Sequence, residues 1–491
     1  MPPPHLPTEI LLKVFSHLAV PPGSYSEDGK YRHDNERAIS RRTLLTLTRS
    51  GNRRLYQAAS RYLYHTVVLD SLDSFFLFLR TIVRADDLAK RVRVLWVATL
   101  LFRESLGDLP AAESESIIAG ITSDLPAYAY LPRCFGDLSG PDNFRWGGGP
   151  MVGGRGWFGQ SACCLLLCLV TKVETLFLTY SETKRWAYTY RSLAIFLERS
   201  YRDGLPLLPS LRSLSLSALR NPNWMDSILS MFPPPSDFTV LLGSGKVEHL
   251  ELYNLDLQDG DFEPEQWAAV ESLRCWSVGP ELSWALQRMH QHARPSLKKL
   301  DIALAHSQEY TGLFLADRHL DRSIALFADT LESLRITITP GTTPPLLRRG
   351  LMDCLVALSH LRELDVSATL LFPDESAMEL ADIRTLLPAS LEKVRFDETE
   401  LESWDVWRIQ WGKPWGFQRA LKEIFLALVW TSGERLPRLR TVEVAMCVEK
   451  GRWGVLSTRG SSVVLALLRG PRRPGGWWRL CVAPPCLLQP N

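Results

Sequence analysis

A short hydrophobic pattern recurs ten times along the chain and constrains the fold more than any other feature. Each copy has apolar residues at its first, fourth and sixth positions, and the last two alternate with polar residues as in a half-buried strand. The copies begin at Val92, Val173, Leu211, Val247, Leu273, Leu297, Leu331, Leu361, Leu391 and Leu439. From Val173 onward they start 24 to 48 residues apart, which leaves room for a helix between strands. The pattern therefore predicts one short strand per copy and an α/β fold.

Helical segments at 162–170, 324–330 and 351–359 precede three of the copies. A strand and a helix repeated at this spacing are typical of a leucine-rich-repeat solenoid, and the array resembles the irregular repeats of that family. It departs from regular members in its uneven period and in having no asparagine eight residues after the first apolar position. We expect a horseshoe-like array with loop insertions over residues 71–450. The alternative is a mixed α/β domain whose strands merely share the pattern.

Positions three, five and seven of each copy are expected to lie on the concave face of the array, opposite the core. In five copies these positions combine both signs of charge with small residues and one aromatic residue. Such a face suits recognition of a protein surface better than binding of a small molecule. The candidate target-binding residues are His249, Glu251, Tyr253, Lys299, Asp301, Arg335, Glu363, Asp365, Lys393 and Arg395. The alternative is that these positions are polar only because a solenoid must expose one face to water.

The N-terminal region contains three apolar segments in a recognisable order. The first reads Leu6-Pro7-x-Glu9-Ile10-Leu11-x-x-Val14-Phe15-Ser16-x-Leu18 and predicts a short amphipathic helix. A second helix is predicted from about Thr43, and a third leads through Leu55 into an extended stretch at 66–69. Together the segments resemble an F-box over about residues 5–70, with an ending, Leu63-Tyr64-x-x-Val67-x-Leu69, similar to that of fungal members. The insertion between the first two helices is longer than the family's usual few residues.

The resemblance implies a small all-α helical bundle at 1–70 that docks on a Skp-type linker protein and, through it, on a cullin–RING ligase. The residues that would contact the linker or support that contact are Leu6, Pro7, Ile10, Leu11, Val14, Phe15 and Leu18. The chain would then be a substrate-recognition adaptor of a Skp–cullin–F-box ubiquitin ligase whose repeat domain binds an unknown target protein. One alternative is a leucine-rich-repeat interaction scaffold with no ubiquitin-ligase role, in which the helices cap the array. Another is an unrecognised enzyme.

Seven arginines and no acidic residue occur between Arg37 and His65. We interpret them as the solvated face of the second and third helices, since no interleaved aromatic residues favour stacking on bases. An anion-binding patch is the alternative.

Composition and motifs exclude several other classes. The formal net charge of +2 gives no argument for a nucleic-acid partner, and no apolar run is long enough to span a membrane. Nine irregularly spaced cysteines and the absence of a secretory signal pattern favour a cytoplasmic or nuclear protein. No motif for a cofactor, metal or catalytic nucleophile is recognisable, so we expect a non-enzyme. Residues 451–491 lack the pattern and are expected to form a poorly ordered tail or a C-terminus from a mistaken gene model.

Overall fold

The computed structural model describes residues 8–16, 34–69, 72–98, 163, 166–181, 208–219, 247–253, 267–276, 281–292, 297–304, 319–338, 354–366, 371, 386–398, 436–448, 452–459, 466–467 and 477–481. The chain divides into two compact units, Met1–Glu248 and His249–Asn491. Both units combine helices with parallel strands, so the expectation of an α/β chain is confirmed at that level.

Three helices open the first unit: α1 (Thr8–Ser16), α2 (Asp34–Arg49) and α3 (Arg53–Leu63). They share a small core of Phe15, Leu44, Ala58 and Ala59. Gly51 takes a positive φ of 73° in the turn before α3, where the missing side chain relieves strain. Asn52 then caps α3, because its side-chain oxygen accepts hydrogen bonds from the N–H groups of Arg54 and Leu55.

The strands of the first unit follow directly from these helices. They are β1 (Thr66–Leu69), β2 (Val94–Ala98), β3 (Thr175–Ser181) and β4 (Ser213–Leu219), each parallel to the next. Helices α4 (Leu72–Arg84) and α5 (Asp86–Ala89) lie between β1 and β2 in the chain. A parallel pair needs a crossover connection, and these two helices form the one between β1 and β2.

The second unit continues the same alternation. Its parallel strands are β5 (His249–Tyr253), β6 (Ser272–Trp276), β7 (Lys299–Leu304), β8 (Ser333–Ile338), β9 (Glu363–Val366), β10 (Lys393–Glu398) and β11 (Thr441–Val448). Between them lie α6 (Glu281–His292), α7 (His319–Ala325) and a 3-10 helix at Leu355–Ala357. The helices α6 and α7 pack against each other.

The copies in β2 to β10 each bury three apolar residues. In β8, for instance, Leu331 lies in the turn before the strand while Leu334 and Ile336 point inward, and all three are buried. The inward residues alternate with polar ones, so one face of the sheet joins the core and the other carries side chains such as Arg335. Helix α6 contributes Leu282, Ala285, Leu286 and Met289 to the core at the i, i+3, i+4, i+7 spacing of an apolar helix face.

Strand register corrects the pattern at one copy and extends it at another. Leu273 pairs with Leu250 and Leu300, which are the fourth residues of their copies, so the copy in β6 begins at Val270 and not at Leu273. Val270 is fully buried in the turn, as the first residue of a copy is elsewhere. At the other end, Val67 of β1 pairs with Leu95, which adds a copy that begins at Tyr64.

Residues 451–491, expected to form a poorly ordered tail, carry three strands. β12 (Arg452–Arg459) runs antiparallel to β11. β14 (Trp477–Cys481) lies parallel to β12 and antiparallel to the two-residue β13 (Ala466–Leu467). Main-chain pairing with β11 and with one another defines these strands, which do not carry the apolar pattern of the preceding copies. The remainder of this segment lies outside the described residues.

Replacing Leu334 with Ala should lower the free energy of unfolding by about 3 kcal/mol, because the change leaves a cavity in the core. Urea denaturation of the full chain, followed by circular dichroism, measures the loss. The matched control is Val356→Ala, whose side chain is 55% exposed and whose loss should stay within about 0.5 kcal/mol. Equal losses in the two variants would contradict the assignment of Leu334 to the core.

Candidate functional site

The polar face of the second unit carries a row of alternating charges, here called the charge ladder. Its members occupy position five of successive copies and face one another in register across β5 to β10. They are Glu251, Arg274, Asp301, Arg335, Asp365 and Arg395. The register continues to Glu443 of β11, another acidic residue. One charged residue on each strand therefore faces a residue of opposite sign on the next strand.

Every neighbouring pair in the charge ladder lies within salt-bridge distance. Arg274 is the most closely bound, with Nη1 3.1 Å from Glu251 Oε1 and Nε 2.8 Å from Asp301 Oδ2. Arg335 lies 4.0 Å from the same Asp301 oxygen through Nη1 and 3.3 Å from Asp365 Oδ2 through Nε. Arg395 Nε lies 3.8 Å from Asp365 Oδ1. Each internal member therefore bridges two neighbours.

Partial burial strengthens these contacts. The side chains of the charge ladder are only 16–32% exposed, so water screens their interactions less than it would on an open surface. Burial alone would lower the pKa of Arg274, but Asp301 and Glu251 outweigh it and the net pKa is raised. Arg274 is therefore a permanent cation held between two acids.

Position seven is buried in several copies, contrary to its expected place on the exposed face. Tyr253 is only 4% exposed, and Ala303 and Thr337 at the same position of later copies are also buried. The Tyr253 ring lies 5.5 Å from that of Trp276, and its hydroxyl donates to Glu251 Oε2 at 3.3 Å. Burial raises the pKa of Tyr253, and Glu251 adds to the rise. Tyr253 thus supports the end of the charge ladder from within the fold.

Position three supplies the exposed part of the candidate target-binding set. His249, Lys299 and Glu363 are exposed, and Lys393 is half-buried. Ser272 and Ser333 occupy the intervening strands, so this row runs parallel to the charge ladder. The structure therefore brings the predicted residues together in two adjacent rows, an exposed one and a partly buried one, with Tyr253 buried at position seven beside Glu251.

Arg274, which forms the tightest contacts of the charge ladder, is absent from the predicted set. The sequence contains two overlapping candidates here, Val270-x-x-Leu273-x-Cys275 and Leu273-x-x-Trp276-x-Val278, and only the first matches the strand register. Counting Cys275 as a small apolar residue would have identified the copy that begins at Val270 and, with it, Arg274 at position five. The choice matters because a shift of three residues moves Arg274 from position five to position two.

The predicted linker-binding residues divide into exposed and buried members. Ile10 is 44% exposed, whereas Phe15 is buried in the core of the three helices and Leu11 packs against that core. Val14 lies within α1, and Leu6, Pro7 and Leu18 lie outside the described residues. On the described part of α1, the apolar contact available to a partner is therefore centred on Ile10.

Two observations on the described residues concern metal binding and thiol chemistry. These residues contain no cluster of three His, Cys, Asp or Glu side chains that could hold a metal ion, and no helix long and apolar enough to cross a bilayer. Cys163 is buried, and burial raises the pKa of its thiol to about 12. A thiol with this pKa is protonated at neutral pH and is a poor nucleophile.

No protein family model matches the chain, and no curated protein matches its sequence. Its function is therefore inferred from the exposed Ile10, the polar face of the second unit and the residue patterns that produce them.

Replacing Arg274 with Ala should destabilise the full chain by about 2 kcal/mol, because Glu251 and Asp301 would lose the cation between them. Arg362→Ala is the matched control, since Arg362 is exposed and the expected change is within about 0.5 kcal/mol. Thermal unfolding at low and high salt measures both variants, and the difference between them should shrink with salt. A loss no larger for Arg274→Ala than for Arg362→Ala would show that the charge ladder does not stabilise the sheet.

Proposed function

We propose that the chain is a substrate-recognition adaptor of a Skp–cullin–F-box ubiquitin ligase. Its N-terminal helices would bind a Skp-type linker protein, and an irregular leucine-rich-repeat-like solenoid would bind the target. The observation that carries the proposal is the exposed Ile10 on a three-helix cluster whose own core is very small.

The packing of α1 supports a partner for this helix. Phe15 anchors α1 to α2 and α3, yet Ile10 stays exposed although it is a large apolar residue. Exposure of such a residue is unremarkable alone. In α1 it coincides with the F-box-like pattern, which places Ile10 among the residues that contact the linker. A partner helix that covers Ile10 would extend the small core by further apolar area.

The second unit supports a role in binding a protein target. Its successive parallel strands present an exposed polar row at position three beside the charge ladder at position five. Both rows have mixed charge, which suits a folded or extended protein partner with complementary charges. The adaptor would act by proximity, since holding a target near the ubiquitin-loading subunits raises its effective concentration. The catalytic residues would belong to those other subunits.

A second hypothesis is a leucine-rich-repeat scaffold without a ligase role, and one set of contacts favours it. Arg91 Nη1 donates to Ser60 Oγ of α3 at 3.0 Å, and the rings of Tyr64 and Phe78 stack at 6.3 Å. The first contact joins α3 to the residue that precedes the copy in β2, and the second joins the start of the first copy to α4, as packing of a cap onto the array would. A cap predicts that removing residues 1–63 strongly destabilises the remaining chain, whereas an adaptor module predicts a modest change in Tm.

Replacing Ile10 with Asp in the full chain should weaken binding to a Skp-family linker protein by at least about tenfold, because a charge would enter an apolar contact. Co-purification and isothermal titration calorimetry measure the effect. Val356→Asp makes the same kind of change at an exposed apolar residue of the second unit and should leave binding unchanged. Failure of the folded wild-type chain to bind the linker, or unchanged binding by Ile10→Asp, would refute the adaptor proposal.

A further inference from the structure

The helices α2 and α3 present a set of exposed arginines, here called the arginine face. Its members are Arg42 and Arg49 of α2 and Arg53, Arg54 and Arg61 of α3. All five are exposed. Since α2 and α3 pack against each other, their outward sides belong to one region of the first unit.

Helix geometry groups these arginines on the outward sides. Arg42 and Arg49 are seven residues apart, so they project about 20° from each other on α2. Arg53, Arg54 and Arg61 fall within an arc of about 100° on α3. The apolar residues Leu44 and Ala59 point away from these arcs into the core. The core therefore fixes the orientation of both arginine stripes.

The positive charges of the arginine face are not balanced by acidic residues within the same stretch of sequence. No acidic residue occurs between positions 37 and 65, and within the described part of the chain none of the five arginines forms an ion pair. The arginines of the charge ladder differ from these five, because Arg274, Arg335 and Arg395 each lie within 4.0 Å of a carboxylate. Neighbouring like charges on a helix surface repel each other. A partner of opposite charge would remove that repulsion.

We propose that the arginine face binds an Asp- and Glu-rich surface of a partner protein. The planar guanidinium group donates two parallel hydrogen bonds to a carboxylate, which makes arginine well suited to such a surface. Tyr56 of α3 is 49% exposed and adds an amphipathic contact beside Arg53, and both residue types are enriched in protein interfaces.

Charge and composition favour an acidic protein over a nucleic acid. The whole chain carries a net charge of only +2, which gives no general electrostatic argument for a nucleic-acid partner. Tyr56 is the one exposed aromatic residue in the described parts of α2 and α3, which provides no series of rings on which bases could stack. This surface is distinct from Ile10 of α1, so the inference does not depend on a ubiquitin-ligase role.

The test uses the full chain and fluorescein-labelled poly-L-glutamate as the probe, with binding followed by fluorescence anisotropy. The variant Arg53→Gln/Arg54→Gln/Arg61→Gln should bind about tenfold more weakly than wild type, because three exposed charge pairs are lost. Wild-type affinity should also fall as salt is raised. The matched control is Arg362→Gln/Arg438→Gln/Arg440→Gln, which removes the same charge at exposed positions of the second unit and should change affinity less than about twofold.

Two comparisons separate this inference from its alternatives. Replacing the same three α3 arginines with lysine keeps the charge but removes the paired guanidinium hydrogen bonds, so its affinity should lie between those of wild type and the glutamine variant, which excludes misfolding as the cause of the loss. A single-stranded oligodeoxynucleotide of equal charge and phosphatidylserine vesicles should bind more weakly than poly-L-glutamate. Tighter binding of either, an equal loss in the control variant, or no loss in the α3 variant would overturn the proposal.

Discussion

Neighbouring strands in both units share one main-chain contact on which the rest of the structure depends. The carbonyl at position two of a copy accepts hydrogen bonds from two successive N–H groups of the next copy: Arg93 O accepts at 2.7 and 2.9 Å, and Lys298 O at 2.8 and 3.0 Å. This contact sets the register before each strand begins. A slip of one residue would turn Leu334 toward solvent and Arg335 into the core, so core and polar face depend on the same contact.

Side-chain charge supports the same register at two levels. The charge ladder alternates sign at position five, and a second row alternates at position two, where Arg93 pairs with Glu174 and Lys298 with Glu271. The pairs at position two are largely exposed to water and therefore contribute little to the stability of the fold. The charge ladder is more buried, so a displaced strand would leave carboxylates such as Asp301 without their arginines. The free energy lost through such a misalignment should exceed the stabilisation that any one exposed pair provides.

The strands could be predicted well from the sequence because their apolar pattern is local. The predictions failed where strand register or burial depends on tertiary contacts. Three apolar residues at fixed spacing identified most strands, but two overlapping patterns around Leu273 could be separated only by pairing with β5 and β7. The burial of Tyr253 depends on what packs over position seven, which alternation within a strand does not encode. β12 has no apolar pattern because pairing with β11 defines it. The roles of Ile10 and the other N-terminal residues remain predictions from a resemblance.

The chain places its arginines in two contrasting environments, and the contrast carries functional information. Arg274 and Arg335 are each held between two acids, so a binding partner that used them would first have to break existing contacts. The five members of the arginine face carry no such cost, since their charges are already exposed. A charged partner therefore gains more from the helices than from the charge ladder, whose charges are already paired within the fold. In our proposal, the exposed row at position three, with its mixed signs, is the part of the second unit where a target protein would add new interactions.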